Sequence, residues 1–229
     1  MTLPARKPAV SPTDMTASEI AAAVASGKTT CEAVARAYLE RIEARESQVL
    51  AFQHHDSAHV YAQARALDAS GRRGPLIGVP FGIKDIIDTA DLPTEMGSPI
   101  YKGHRPRGDA TCVALTRKAG GVLMGKTVTT EFANRFPGKT RNPYDPARTP
   151  GGSSSGSAAA VADGMAALAI GTQTTGSTIR PAAYCGVFGH RPSDSALPRS
   201  GQACLRRSIR SRLVDRRSLN VQTWRLPRN

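Results

Sequence analysis

The sequence predicts an α/β fold, and three observations carry that reading. Capped, helix-like segments fill the chain before Gly71. Short apolar runs bounded by Gly and Pro begin at Gly74. Helical and strand-like patterns then alternate as far as Gly171. A mixed β-sheet core flanked by helices is the architecture that such alternation supports.

The elements follow in order. Residues 1–15 are Pro-rich and read as an irregular arm. Thr16-Ala17-Ser18-Glu19 is a capping box ahead of an Ala-rich helix that Gly27 closes. Thr29-Thr30-Cys31-Glu32 is a second box. Val34, Ala35, Tyr38, Leu39 and Ile42 then form one helical face up to about Glu46. A third helix is expected over Ala58–Ala69. Pro75 to Asp85 reads as short buried strands and turns. Ala110–Lys118 is helical in pattern, and Val122-Leu123-Met124 is a strand. Residues 137–150 form a polar loop. A small-residue segment covers Ser153–Met165, a buried strand Ala166–Gly171 and a polar turn Thr172–Ser177.

Composition narrows the function classes. The chain has 229 residues, 40% hydrophobic and 21% charged, with a mean hydropathy of −0.31. No run of 18 apolar residues exists, which excludes a spanning helix, and the N-terminus lacks the apolar core of a secretory signal. Cys31, Cys112, Cys185 and Cys204 form no C-x-x-C pair, so neither a zinc site nor a disulfide framework is expected. A reducing, cytoplasmic setting is the default. The net charge of +13 is uneven: residues 191–229 hold ten Arg, no Lys and two Asp. The body is only mildly basic, so nucleic-acid binding is expected only through that tail.

Two formal motif matches are set aside. Gly120-Gly121-Val122-Leu123-Met124-Gly125-Lys126-Thr127 satisfies the P-loop pattern, but its middle is itself strand-like and a helix precedes it. Gly152-Ser153-Ser154-Ser155-Gly156 satisfies the nucleophile-elbow pattern. Loop residues precede it, however, and the sole downstream histidine is His190.

Three other segments carry more information together. They are Gly78-Val79-Pro80-Phe81-Gly82-Ile83-Lys84-Asp85, Gly151-Gly152-Ser153-Ser154-Ser155-Gly156-Ser157, and Gly171-Thr172-Gln173-Thr174-Thr175-Gly176-Ser177-Thr178-Ile179-Arg180-Pro181. In this order they resemble the amidase signature family, strongly from about Gly74 to Gly189. The resemblance implies the amidase-signature fold and a Ser–cis-Ser–Lys triad: Lys84 as the lysine, Ser153 as the cis-serine and Ser177 as the nucleophile. It implies an oxyanion hole from the backbone of Gln173, Thr174, Thr175 and Gly176. It implies a small-molecule amide substrate, no cofactor and no metal; homo-oligomers, and an amidotransferase-like subunit role, stay open. The family usually has two glycines before the nucleophile, where Thr175-Gly176 stands here, and Gln173 replaces a common Asp.

The chemistry of these residue types is coherent by itself. A serine hydroxyl needs an adjacent base. A lysine serves only when neutral, and burial penalises its charged form. Val79, Phe81, Ile83, Ile86 and Ile87 around Lys84 favour burial. A serine between the two can pass the proton. One oxyanion donor is worth about 3 kcal/mol.

The resemblance fades after Pro192-Ser193, with an echo up to Gly201. Residues 16–201 are therefore read as the N-terminal part of an amidase-signature domain truncated in its C-terminal half. Residues 202–229 are read as a non-native or disordered Arg-rich tail produced by a shifted reading frame. Weak or absent turnover is the corresponding expectation. The alternative is a non-catalytic protein that uses the basic tail for binding.

Overall fold

The computed structural model describes residues 11–71 and 73–192, and the backbone of residues 219–225. Helices α1 (Ala17–Ala25), α2 (Cys31–Val49) and α3 (Ser57–Ser70) precede most of the sheet. The strands are β1 (Phe52–His54), β2 (Pro80–Lys84), β3 (Val122–Thr127), β4 (Leu168–Gln173), β5 (Val187–Gly189) and β6 (Leu219–Arg225). Helices α4 (Thr111–Lys118), α5 (Ser155–Ala162) and α6 (Ile179–Tyr184) intervene.

The first capping box closes as expected. Thr16 Oγ1 accepts from the Glu19 amide at 3.2 Å, and Glu19 accepts from the Thr16 amide at 2.7 Å. The second box does not form. Thr30 is the cap of α2, and the Asp68 carboxylate on α3 accepts from the amides of Cys31 and Glu32 at 2.8 and 3.0 Å. Glu32 turns instead to Arg65, at 2.9 Å. A tertiary partner has displaced a local one. Within the expected N-terminal arm, Pro12–Asp14 forms a 3-10 turn capped by Ser11, while residues 1–10 lie outside the described residues.

The sheet order is β1-β3-β2-β4-β6-β5. Strand β2 is parallel to both β3 and β4, so the centre of the sheet is parallel and covered on both faces. Strands β1 and β6 run antiparallel to their neighbours. Strand β1 is too short for its periodicity to show in sequence. Gly125 is required inside β3 because a Cβ there would lie 2.4 Å from the His54 carbonyl oxygen of β1. Strand β6 falls within the Arg-rich tail; residues 202–218 and 226–229 of that tail lie outside the described residues.

Helix α5 is buried along its whole length and is built from Ser, Gly, Ala and Val. A Cβ at Gly156 would lie 2.3 Å from both Ala51 O and Val128 N, so only glycine admits this approach. At the far end of α5, buried Asp163 accepts from Arg41 and Arg45 of α2 at 3.0 and 2.9 Å. The helix is thereby fixed over the sheet at both ends.

The structure also decides the two motif matches. Gly125-Lys126-Thr127 is strand, and Lys126 is fully buried rather than facing a phosphate cradle. Ser154 caps α5 after a loop, with no strand leading into it. No helix of the described residues is long and apolar enough to cross a membrane. Cys31, Cys112 and Cys185 are buried free thiols, and Cys204 lies outside the described residues.

Candidate active site

Four segments converge at the ends of the parallel strands. Lys84 is the last residue of β2, and Thr172 is the fifth of β4. The loop before α5 brings in Ser153, and the turn between β4 and α6 brings in Ser177. This is where open parallel sheets place their sites, beyond the C-terminal ends of the strands.

Lys84 and Ser153 meet directly. The Lys84 Nζ donates to Ser153 Oγ at 2.7 Å and to Thr172 Oγ1 at 2.9 Å. Both partners are neutral hydroxyls. Lys84 is wholly buried, and burial pushes its ammonium down from about 10.5 to about 7. Ser153 follows a cis peptide bond from Gly152. Its carbonyl accepts from the Thr130 amide at 3.1 Å, which ties this loop to the segment after β3.

Ser177 is joined to the same group through its backbone. Its carbonyl accepts from the Ser154 amide at 3.0 Å. Ser154 Oγ in turn donates to Thr172 O at 3.2 Å and accepts from Thr172 N at 3.3 Å. Ser177 is partly exposed, whereas Ser153 and Lys84 are buried. Among the described residues, the Ser177 hydroxyl makes no hydrogen bond. The arrangement is graded: a buried lysine, a buried serine, then a serine open to solvent.

The segment expected to form the oxyanion hole splits in two. Gln173 ends strand β4, and its side chain accepts from the amides of Thr178 and Ile179, both at 2.9 Å. That double bond shapes the turn and satisfies the first amides of α6, which has no side-chain cap at Thr178. Thr174 and Thr175 are exposed and Gly176 is partly buried. Among the described residues, the amides of Thr174, Thr175, Gly176 and Ser177 donate to no protein acceptor. Donors left open beside a partly exposed serine can serve an incoming anion.

Two residues of the site escape the sequence reading. The composition around Thr172 predicts a turn, but Thr172 is strand, and it is the second partner of Lys84. Ser154 lies within a resembling segment without a role of its own and is the serine of a rejected motif, yet it links Thr172 to Ser177. No local pattern marks either, because each acts through residues distant in sequence. Among the described residues, no cluster of three or more His, Cys, Asp or Glu is placed to hold a metal ion.

The model of the family described as Amidase matches residues 33–212. The chain belongs to the amidase family. A glutamyl-tRNA(Gln) amidotransferase subunit from Streptomyces avermitilis is 45% identical over 205 residues, which cover 85% of this chain and 41% of that protein. The protein of the same name from Acidothermus cellulolyticus is 46% identical over 204 residues, covering 85% and 40%. The X-ray structure of the native peptide amidase from Stenotrophomonas maltophilia superposes with a TM-score of 0.77 at 36% identity, over 82% of this chain and 42% of that one. The chain thus spans about two-fifths of the length of these amidase-family relatives.

Proposed function

We propose that this chain carries the acylation machinery of an amide C–N hydrolase, with Ser177 as nucleophile, Ser153 as proton relay and Lys84 as base. The supporting observation is the 2.7 Å bond between Ser153 Oγ and a buried lysine whose contacts here are hydroxyls. In its neutral form, Lys84 takes the Ser153 proton while Ser153 takes the proton of Ser177. The Ser177 oxygen attacks the amide carbonyl, and the open amides of residues 174–177 receive the developing oxyanion. The C–N bond then breaks, the amine leaves with the relayed proton, and water hydrolyses the acyl-serine.

The chain spans about two-fifths of the length of its relatives, and the residues of the proposed chemistry all lie within it. Covalent labelling therefore tests the reading directly. A fluorophosphonate probe should form a Ser177 adduct with loss of fluoride, located by peptide mass spectrometry. Labelling should rise as pH passes about 7 and vanish in Ser177→Ala. A folded wild-type chain left unlabelled between about pH 6 and 10, the range that spans both protonation states of Lys84, would sink the proposal and favour a non-catalytic binding role.

A second reading is favoured by the names of the relatives. Ser177 chemistry would then release ammonia from an amide donor for transfer within a complex. Ammonia release from glutamine in excess over simple aliphatic amides would select it.

A further inference from the structure

A second buried lysine lies behind the first. Lys126 on β3 is registered with Ile83 of β2, while Lys84 is registered with Thr127. Because side chains alternate along a strand, Lys126 occupies the face of the sheet opposite Lys84. Thr127, on the face shared with Lys84, bonds Ser157 of α5 at 2.7 Å, which places α5 on that side. Asp85, the residue after Lys84, turns to the Lys126 side: Lys126 Nζ lies 3.4 Å from Asp85 Oδ1, and both side chains are fully buried.

Lys126 also fastens the chain that follows Lys84. Its ammonium donates to Ile87 O at 2.8 Å, Pro93 O at 3.1 Å and Thr94 Oγ1 at 2.5 Å. Asp85 accepts from the Glu95 amide through both carboxylate oxygens at 3.2 Å, and its carbonyl accepts from the Met96 amide at 3.0 Å. The segment from 85 to 96 is thus closed on this one pair. Asp88 and Asp91 also act on Lys126, and His54 also acts on Asp85. On the other face, the partners of Lys84 among the described residues are the hydroxyls of Ser153 and Thr172.

We propose that Asp85 and Lys126 form a charge-compensated pair that holds Lys84 against Ser153 from the opposite face of the sheet and keeps the surroundings of Lys84 free of net charge. Lys126 is thereby a positioning residue. The inference rests on reading Lys84 as the base, and it makes a signed demand. Removing Asp85 takes away the carboxylate nearest Lys126, adds net positive charge behind Lys84 and makes Lys84 easier to deprotonate. Removing Lys126 leaves an uncompensated anion and makes it harder. Removing both restores neutrality.

The test follows Lys84 itself in the full chain labelled with 13C-lysine, by titrating its ε-carbon resonance, assigned by its loss in Lys84→Met. Asp85→Asn should lower the Lys84 midpoint and Lys126→Met raise it, each by about one pH unit, the order expected of one unit charge acting across a protein interior. Asp85→Asn/Lys126→Met should return towards wild type, and Lys126→Arg should stay there. Simple loosening of the core would raise the midpoint in both single variants, so a shared upward shift overturns the proposal. An unmoved midpoint also overturns it. Should Lys126→Met fail to fold, the downward shift in Asp85→Asn and its return in the double variant still decide. If the signed pattern appears but the probe never labels Ser177, the hydrolase reading falls while the charge coupling stands.

Discussion

Two lysines lie on adjacent central strands, both wholly buried, and they differ in nearly everything that follows. Lys84 faces two hydroxyls. Lys126 faces two carbonyls, a hydroxyl and the Asp85 carboxylate. Burial pushes both ammonium groups towards release of a proton, but at Lys126 the neighbouring carboxylates push back. Burial is therefore common to the proposed base and to the cation paired with Asp85, and it is their partners that differ. A hydroxyl can accept from an ammonium or donate to an amine, so it tolerates either protonation state. A buried carboxylate binds the charged state and resists its loss.

The largest expected effect separates the two by function and stability together. Lys84→Met should cut the rate of Ser177 labelling by at least about 10²-fold, the lower end for loss of a proton-transfer group, while leaving a folded chain. Lys126→Met should destabilise the fold by about 3–5 kcal/mol, because Asp85 is left buried without its cation. Denaturant melts of the two variants beside wild type check this. Equal destabilisation by both would erase the distinction between base and structural cation.

A smaller effect lies in the pH dependence of stability. Folding lowers the Lys84 value from about 10.5 to about 7, so between these limits the unfolded chain binds more protons than the folded one. Stability must then rise with pH across that window, and the destabilisation by buried Lys84 is full below about 7. Lys84→Met lacks this group. The stability of the variant relative to wild type should therefore fall as pH rises from about 7 to about 10.5, by up to a few kcal/mol. Melts at about pH 7, 8.5 and 10 measure it. A gap that stays flat from about pH 7 to 10 would show that Lys84 remains charged in the folded state.

Helices and central strands were legible because their signals are local. The Thr16 box, the apolar face of α2 and the Gly-bounded runs at β2 and β4 each lie within one segment. The missed features are set by partners far along the chain. Asp68 takes the amides at the start of α2, and β1 and β5 are three-residue strands defined by their neighbours. At the site, the placement of Lys84 against Ser153 was readable through family resemblance and the apolar residues around Lys84. The roles of Thr172, Ser154 and the Gln173 side chain were not, because each depends on the fold of the β4–α6 turn.

The smallest effect sharpens the comparison most closely. If hydroxyl partners are what let Lys84 change protonation state, removing one of the two should weaken the site without abolishing it. Thr172→Val keeps the β-branched shape of the strand residue and deletes only the hydroxyl at 2.9 Å from Lys84 Nζ. One hydrogen bond to a charged group is worth about 1.5–3 kcal/mol and to a neutral group about 0.5–1.5 kcal/mol. The variant therefore loses more from charged than from neutral Lys84, and the Lys84 midpoint should move down. Ser177 labelling should slow by about tenfold or less above that midpoint, with Ser153 still in contact. A rate as low as that of Lys84→Met would make Thr172, rather than Ser153, the partner on which Lys84 depends.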